Sequence, residues 1–300
     1  MQLPTAPAAV TRLAAAALIV NALVWGLSWW PFRTLESYGL HPLWATAIVY
    51  TLVSVCILLV RPTTWRGVMQ HRGMWMLALG SGLTNICFNW AVTEGDVVRV
   101  VLLFYLMPAW TVLIAWCLLG ERPHAVALAR LGVALAGVLL ILKTPGSAWP
   151  LPQSLPDYLA LVGGFSFALV NVMLLKLRDT PAASRMLSMF SGGAVMSAAL
   201  VLWGGLAGWV PALPVILADW VGVLLGLTAA FLVSNLSLQY GAARLRSNTT
   251  ALIMLSEIVF ASLSSVLLGA ALLDARTLGG GALILIAAMS AAIADKPVSQ

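Results

Sequence analysis

Charge is what this sequence has least of. Only 9% of its 300 residues are Asp, Glu, Lys or Arg, where a soluble domain carries about 25%, so it lacks the groups to cover a water-facing surface. Cysteine and histidine are scarce too, at three each. Cys56, Cys87 and Cys117 fall inside apolar runs, without metal-ligand spacing or an evident disulfide pairing. Each is expected to be a small core hydrophobe. No basic run with interleaved aromatics accompanies the net charge of +6, so a nucleic-acid partner has no support. There is no Walker motif, and Gly279-Gly280-Gly281 lacks the Lys and the preceding strand of a phosphate loop. No cofactor and no metal are expected.

What is present is hydrophobicity: 61% of the residues are apolar and the mean hydropathy is +0.99. The bilayer is the solvent that suits this composition. Lipid gives backbone groups no partners, which leaves helix bundles or closed barrels. Barrel strands are short and alternate in polarity, whereas the runs here are long and continuous. The fold class expected is therefore an all-α, polytopic membrane bundle. Runs of about 18 to 23 residues suffice to cross a core of about 30 Å. They fall near 12–30, 42–60, 74–93, 97–119, 125–142, 157–177, 185–204, 217–239, 247–269 and 276–294, giving ten spans. The first serves better as a span than as a cleaved signal.

The positive-inside rule orients these spans. With a cytoplasmic N-terminus, Arg12, Arg61, Arg66, Arg72, Arg122, Arg130, Lys176, Arg178, Arg185, Arg244, Arg246 and Lys296 lie inside. Only Arg33, Arg99, Lys143 and Arg276 lie outside, which accounts for all sixteen Lys and Arg. Both termini are then cytoplasmic. Trp29, Trp30, Trp44, Trp65, Trp75, Trp149, Trp203, Trp209 and Trp220 sit near predicted span ends, where an amphipathic ring suits the interface.

The segment 143–156, rich in proline, falls at the midpoint and divides a first half, 1–142, from a second, 157–300. The halves resemble each other. Gly80, Asn89 and Gly95 keep the spacing of Gly226, Asn235 and Gly241; Leu119-Gly120 matches Leu268-Gly269; and Gly26-Leu27-Ser28 resembles Gly164-Phe165-Ser166. Five spans is an odd number, so the second copy starts on the opposite side. The expected architecture is a 5+5 inverted repeat, an arrangement found in secondary transporters with a central midplane site.

The stretch Leu103 to Pro123, with Pro108 inside it and Gly120-Glu121 near its end, resembles the fourth-helix signature of EamA-type members of the drug/metabolite transporter superfamily. More narrowly, the sequence is similar to bacterial aromatic amino acid exporters. The resemblance implies a multi-pass inner-membrane protein. It would export amino acids, aromatic and other neutral ones, or related small metabolites, by alternating access and without ATP. Export of other drugs or metabolites is the alternative within the superfamily. The second half departs from the first, with Ala270 opposite Glu121 and Glu257 opposite Pro108.

Glu257 is the sharpest single signal. It lies ten residues into its span, roughly 15 Å deep, where a carboxylate is costly and normally faces a polar cavity, binds an amine or carries a proton. A protonated packing residue is the bland reading. Pro108, at the same depth of span four, frees the carbonyl of Phe104 and either lines a site or merely kinks the helix. Buried amides and hydroxyls come next: Asn21, Asn85, Asn89, Asn171, Asn235 and Gln239, with Ser28, Ser166, Thr249 and Thr250. They either line a polar interior, on helices that line the central cavity in the family the chain resembles, or tie helices together. Trp25, Tyr105 and Trp110 either stack on an aromatic or cationic solute or pack against lipid. The small residues Gly132, Gly137, Gly163, Gly164 and Gly279 to Gly281 are scaffold for close helix approach.

Rivals from other classes fare worse. An intramembrane aspartyl protease needs two membrane-embedded Asp, and every Asp lies in a loop or at a span end; a rhomboid-like protease needs an embedded His, and His41, His71 and His124 are all in loops. A channel would show a filter loop or a ring of charge. A non-transporting receptor or assembly subunit is separated from a transporter by counterflow of radiolabelled solute. The expected partners are a small-molecule substrate and the lipid bilayer.

Overall fold

The structure, a computed structural model, describes residues 8–119, 125–143, 151–214, 218–242, 244–245, 250, 253–271 and 274–294. The described residues are helical with short connections. In chain order the helices are α1 (Ala8–Leu27), α2 (Trp29–Ser37), α3 (Pro42–Val60), α4 (Thr64–Gln70), α5 (Arg72–Glu94), α6 (Val97–Phe104) and α7 (Met107–Leu119). Then come α8 (Ala125–Leu142), α9 (Leu155–Lys176), α10 (Ala182–Ala207), α11 (Ala218–Ala242), α12 (Ser256–Leu267) and α13 (Ala275–Ala294). Among the described residues, six stretches are long and apolar enough to cross a membrane: Ala9–Ser37, Pro42–Val60, Ala125–Leu142, Leu155–Lys176, Ala182–Ala207 and Trp220–Ala242. Large apolar side chains point outward from them, as at Leu206 (91% exposed) and Val60 (80%), which suits lipid as the solvent.

The remaining expected spans differ for visible reasons. α5 is long enough but buries Ser81, Thr84, Asn89 and Thr93, which makes it less apolar than α3, where Thr46 and Ser54 are the buried polar residues; it packs on α9, α10, α2, α3 and α6. Span four is two helices, α6 and α7, with a turn at Tyr105-Leu106. Residue 108 is proline and offers no N–H, so the Phe104 carbonyl has no i+4 donor. The ninth expected span is broken at Leu255 without a proline. There Ser256 Oγ donates to the Ile253 carbonyl at 2.6 Å, a local bond that competes with the helical ladder. Span one bends in the same way at Ser28, whose Oγ donates to Trp25 O at 2.8 Å.

Helix starts are capped where loops enter. His41 Nδ1 accepts from the Leu43 amide ahead of Pro42, Asp96 accepts from the Arg99 amide, and Ser154 accepts from the Asp157 amide. α10 ends on Gly208 at φ 82°, a left-handed cap that glycine adopts without strain. The cations assigned outside by charge counting gather at one end of the bundle. Arg33 donates to the carbonyls of Val92, Thr93 and Gly95 at the end of α5. Arg99 reaches α9 and the end of α8, and Arg276 donates to Lys143 O at 2.9 Å.

Two expectations need correction. Cys117 is exposed, whereas Cys87 is buried; in a bilayer an outward-facing thiol still meets apolar surroundings, so the run alone does not tell inside from out. Trp29 (3% exposed) and Trp220 (4%) are buried rather than interfacial. Trp29 lies in the core because its Nε1 finds Ser264 Oγ at 3.0 Å, which satisfies the polar end of the ring away from water.

Candidate functional site

The two broken helices meet. Tyr105, at the α6–α7 turn, donates its hydroxyl to Glu257 Oε2 at 2.9 Å and lies 3.4 Å from the Met254 carbonyl. Glu257 stands in the first turn of α12, two residues beyond the Leu255 break. Both side chains are buried, Tyr105 at 3% exposure and Glu257 at 8%. Neither of the ion pairs among the described residues involves Glu257. A buried carboxyl with one hydroxyl donor and no counter-charge is held at high cost as an anion. A proton or a cationic group is the partner such a carboxyl could take.

Two glycines bring neighbouring helices onto these breaks. A Cβ on Gly164 of α9 would lie 2.5 Å from Phe104 O, beside the turn in span four. A Cβ on Gly26 of α1 would lie 2.9 Å from Glu257 O and 2.7 Å from Phe260 Cβ. Only glycine lets each backbone come so near. These are the two glycines that the internal resemblance had paired.

Aromatic rings adjoin this meeting point. Trp25 stacks on Phe231 (centroids 4.7 Å apart) and meets Phe88 edge-on. Phe88 packs on Phe104 at 4.8 Å, and Phe104 on Phe167 at 5.4 Å. One face of Trp25 is thus taken by protein. Trp110 meets Phe165 edge-on, and its buried Nε1 has no hydrogen-bond partner among the described residues.

The amides divide into structural and open groups. Asn21 Nδ2 donates to Ser234 O at 2.9 Å and to Ser234 Oγ at 2.6 Å, tying α1 to α11. Asn89 donates to Thr46 Oγ1 at 3.1 Å, tying α5 to α3. Both are interhelical bonds, yet each Oδ1 is buried with no partner among the described residues. Gln239 donates to Asn235 Oδ1 at 2.9 Å, one turn away, and contacts Met186 sulfur at 3.0 Å. Among the described residues, Asn171 reaches only the Met107 sulfur at 3.9 Å and the Thr250 hydroxyl is buried without a partner; Asn85 is half-buried. Ser28 and Ser166 bond carbonyls of their own helices. Pro108 falls within α7, and its side chain lies outside the described residues, as do Gly120, Glu121 and Thr249 entirely.

Sequence reasoning missed several partners. Ser234, Thr46 and the rings Phe88, Phe104 and Phe231 carry no signal in a sequence that is apolar throughout. The pair Arg99–Asp157 was open to detection as opposite charges at two span ends. Arg99 Nε and Nη2 donate to Asp157 Oδ1 at 2.7 Å and Oδ2 at 3.0 Å, and Nη1 donates to Ile141 O at 2.6 Å.

Comparison with known proteins follows the same lines. Residues 12–143 match the EamA-like transporter family. Over 163 residues the chain is 28% identical to the "Uncharacterized transporter YojE" of Bacillus subtilis (strain 168). That stretch is 51% of this chain and 52% of the relative, so the chain spans about half the length of the curated relative it matches. A solved crystal structure of a protein shares the fold at a TM-score of 0.58, covering 93% of this chain and 96% of that one. Its 19% identity speaks for the fold alone. The chain is a multi-pass membrane protein, helical among the described residues, whose residues 12–143 match the EamA-like transporter family.

Proposed function

We propose that this chain is a secondary transporter that moves a small molecule across the membrane by alternating access, with its site where Tyr105 and Glu257 join the two broken helices. That juxtaposition carries the reading. Discontinuous helices near the midplane present free backbone groups and a functional carboxyl to solute. The family match and the relative named as a transporter favour the same class.

The proposed architecture is ten spans in two inverted halves, 1–142 and 157–300, joined by the segment 143–156. Support comes from reciprocal packing. α1 touches α11 and α12, as α9 touches α5 and the α6–α7 pair; α3 packs on α10, α8 on α13, and α6 on α12. Exchanging the halves maps this set of contacts onto itself. The family match also ends at residue 143, where the proposed linker begins. The charge bias favours cytoplasmic termini, and a bacterial inner membrane is the proposed location.

For cargo we propose amino acids, aromatic and other neutral ones, or related small metabolites, moved outward. Glu257 would receive the amine or a coupled proton. Trp25, Tyr105, Trp110, Asn85, Asn171, Asn235, Gln239 and Thr250 would line the route, with Pro108 opening it. Asn21, Ser28 and Asn89 would hold its walls. The test is counterflow of radiolabelled phenylalanine, leucine and tyramine in proteoliposomes, at several pH values, for wild type and Glu257→Gln. We expect exchange by wild type and its loss in the variant. Wild-type rates in Glu257→Gln at every pH would remove Glu257 from the mechanism, and no exchange of any solute by wild type would count against transport of this class.

A further inference from the structure

A second site lies on the outward face of the bundle, on two helices that are not themselves broken. α8 and α13 run together and touch most closely at Gly137 and Gly280: a Cβ on either would lie 2.6 Å from the other's carbonyl oxygen. One to three turns towards the start of α8 and the end of α13, they part around a groove of about 230 Å³. Its walls are almost wholly apolar, formed by Val126, Ala129 and Val133 of α8 with Ile286 and Ala287 of α13. Val126 (53% exposed) and Ile286 (59%) face outward, so the groove opens towards lipid.

The one charged group in this lining is Arg130. It is half-buried and has no hydrogen bond or ion pair among the described residues. It stands five residues into α8, roughly 8 Å along the helix. From that depth a long Arg stem lies along apolar surface while the guanidinium reaches the headgroup layer. Charge counting places this end of α8 in the cytoplasmic leaflet, and basic pockets between spans on that side suit anionic lipid headgroups. The planar guanidinium matches phosphate geometry, and pairing there would supply a counter-charge that no described residue gives.

We propose that the α8–α13 groove binds an anionic phospholipid, with the lipid phosphate on Arg130 and one acyl chain along the apolar groove. Charge chooses this occupant over a second copy of the chain, because a copy docked on the same groove would face Arg130 with another arginine under two-fold symmetry.

The test titrates the purified full chain in detergent micelles with dioleoyl phosphatidylglycerol, dioleoyl phosphatidylcholine or inorganic phosphate, reading thermal unfolding and bound lipid by native mass spectrometry. Three variants are compared with wild type. Arg130→Gln removes the charge, Ala287→Leu fills the groove but keeps it, and Arg178→Gln is a control at an exposed arginine. We expect phosphatidylglycerol to bind wild type and Arg178→Gln about fivefold or more tightly than phosphatidylcholine, the worth of one basic residue against an anionic lipid surface. That preference should vanish in Arg130→Gln, and both lipids should bind weakly to Ala287→Leu. Inorganic phosphate should shift nothing, because it has no acyl chain to bury. The proposal is overturned if Arg130→Gln keeps the wild-type preference, or if free phosphate reproduces the shift. It is also overturned if the lipid-free chain is a dimer that Ala287→Leu converts to monomer.

Discussion

The hydroxyl of Tyr105 donates to the carboxyl of Glu257 at 2.9 Å, joining the turn between α6 and α7 to the first turn of α12. Tyr105→Phe keeps the ring and removes this donor, leaving a buried carboxyl without a side-chain partner. That loss costs about 1–3 kcal/mol. Glu257→Gln keeps an acceptor for the hydroxyl and should cost less. The expected order of melting temperature is wild type, then Glu257→Gln, then Tyr105→Phe. A Tyr105→Phe protein as stable as wild type would mean that the hydrogen bond does not hold the breaks together.

Gly164 sets how closely α9 approaches the break in span four. Its Cβ position is 2.5 Å from Phe104 O and 3.2 Å from Phe104 C, and backbone atoms cannot swing away as a flexible side chain does. Gly164→Ala should therefore destabilise by about 1–3 kcal/mol, the usual cost of overpacking. Gly132→Ala is the contrast. It sits in α8 with nothing within 4 Å of the added Cβ, so it should stabilise by about 0.5–1 kcal/mol through helix propensity. Thermal unfolding of both in one detergent checks the pair, and equal shifts in the same direction would contradict the packing.

Composition and periodicity carried the large-scale features. A chain with so few charges needs lipid, and Pro108 marks the break in span four because it offers no N–H to Phe104. Glu257 stood out because it is an acid deep in an apolar run. The break at Leu255 was not legible, since a serine-to-carbonyl bond leaves no mark that other serines in apolar helices lack. The hydrogen bond of Tyr105 was not legible for a similar reason: it depends on Glu257, a residue far away in sequence. Asn21 and Asn89 illustrate the general limit. Amide chemistry serves equally to tie helices or to line a cavity, and only the positions of Ser234 and Thr46 separate the two uses.

At the end of the bundle where Arg33, Arg99 and Arg276 gather, Arg99 grips Asp157 with two nitrogens and Ile141 O with a third. Asp157 is 2% exposed and the arginine side chain 19%, so removing one partner leaves a charge with little access to water. Arg99→Ala should cost about 3–5 kcal/mol, and the double variant with Asp157→Ala should cost clearly less than the two single losses added together. A double-mutant cycle on thermal or denaturant unfolding measures the coupling. Strict additivity would show that the ion pair contributes nothing beyond its separate halves.

His41 should give the protein a pH-dependent component of stability. Its Nδ1 accepts from the Leu43 amide at 3.2 Å to cap α3, and its ring meets Trp90 edge-on. Burial lowers its pKa from the ordinary 6.5, opposed in part by the nearby Glu94. A histidine with a lowered folded-state pKa takes up its proton more readily when unfolded. Its contribution is therefore complete above the unfolded pKa and disappears as pH falls through the lower, folded one. Protonation also removes the acceptor that caps the helix. Melting temperature should thus fall between pH 7.5 and 5.5 more steeply in wild type than in His41→Asn, which retains a capping acceptor but does not titrate. The same slope in both proteins would assign the pH response to another group.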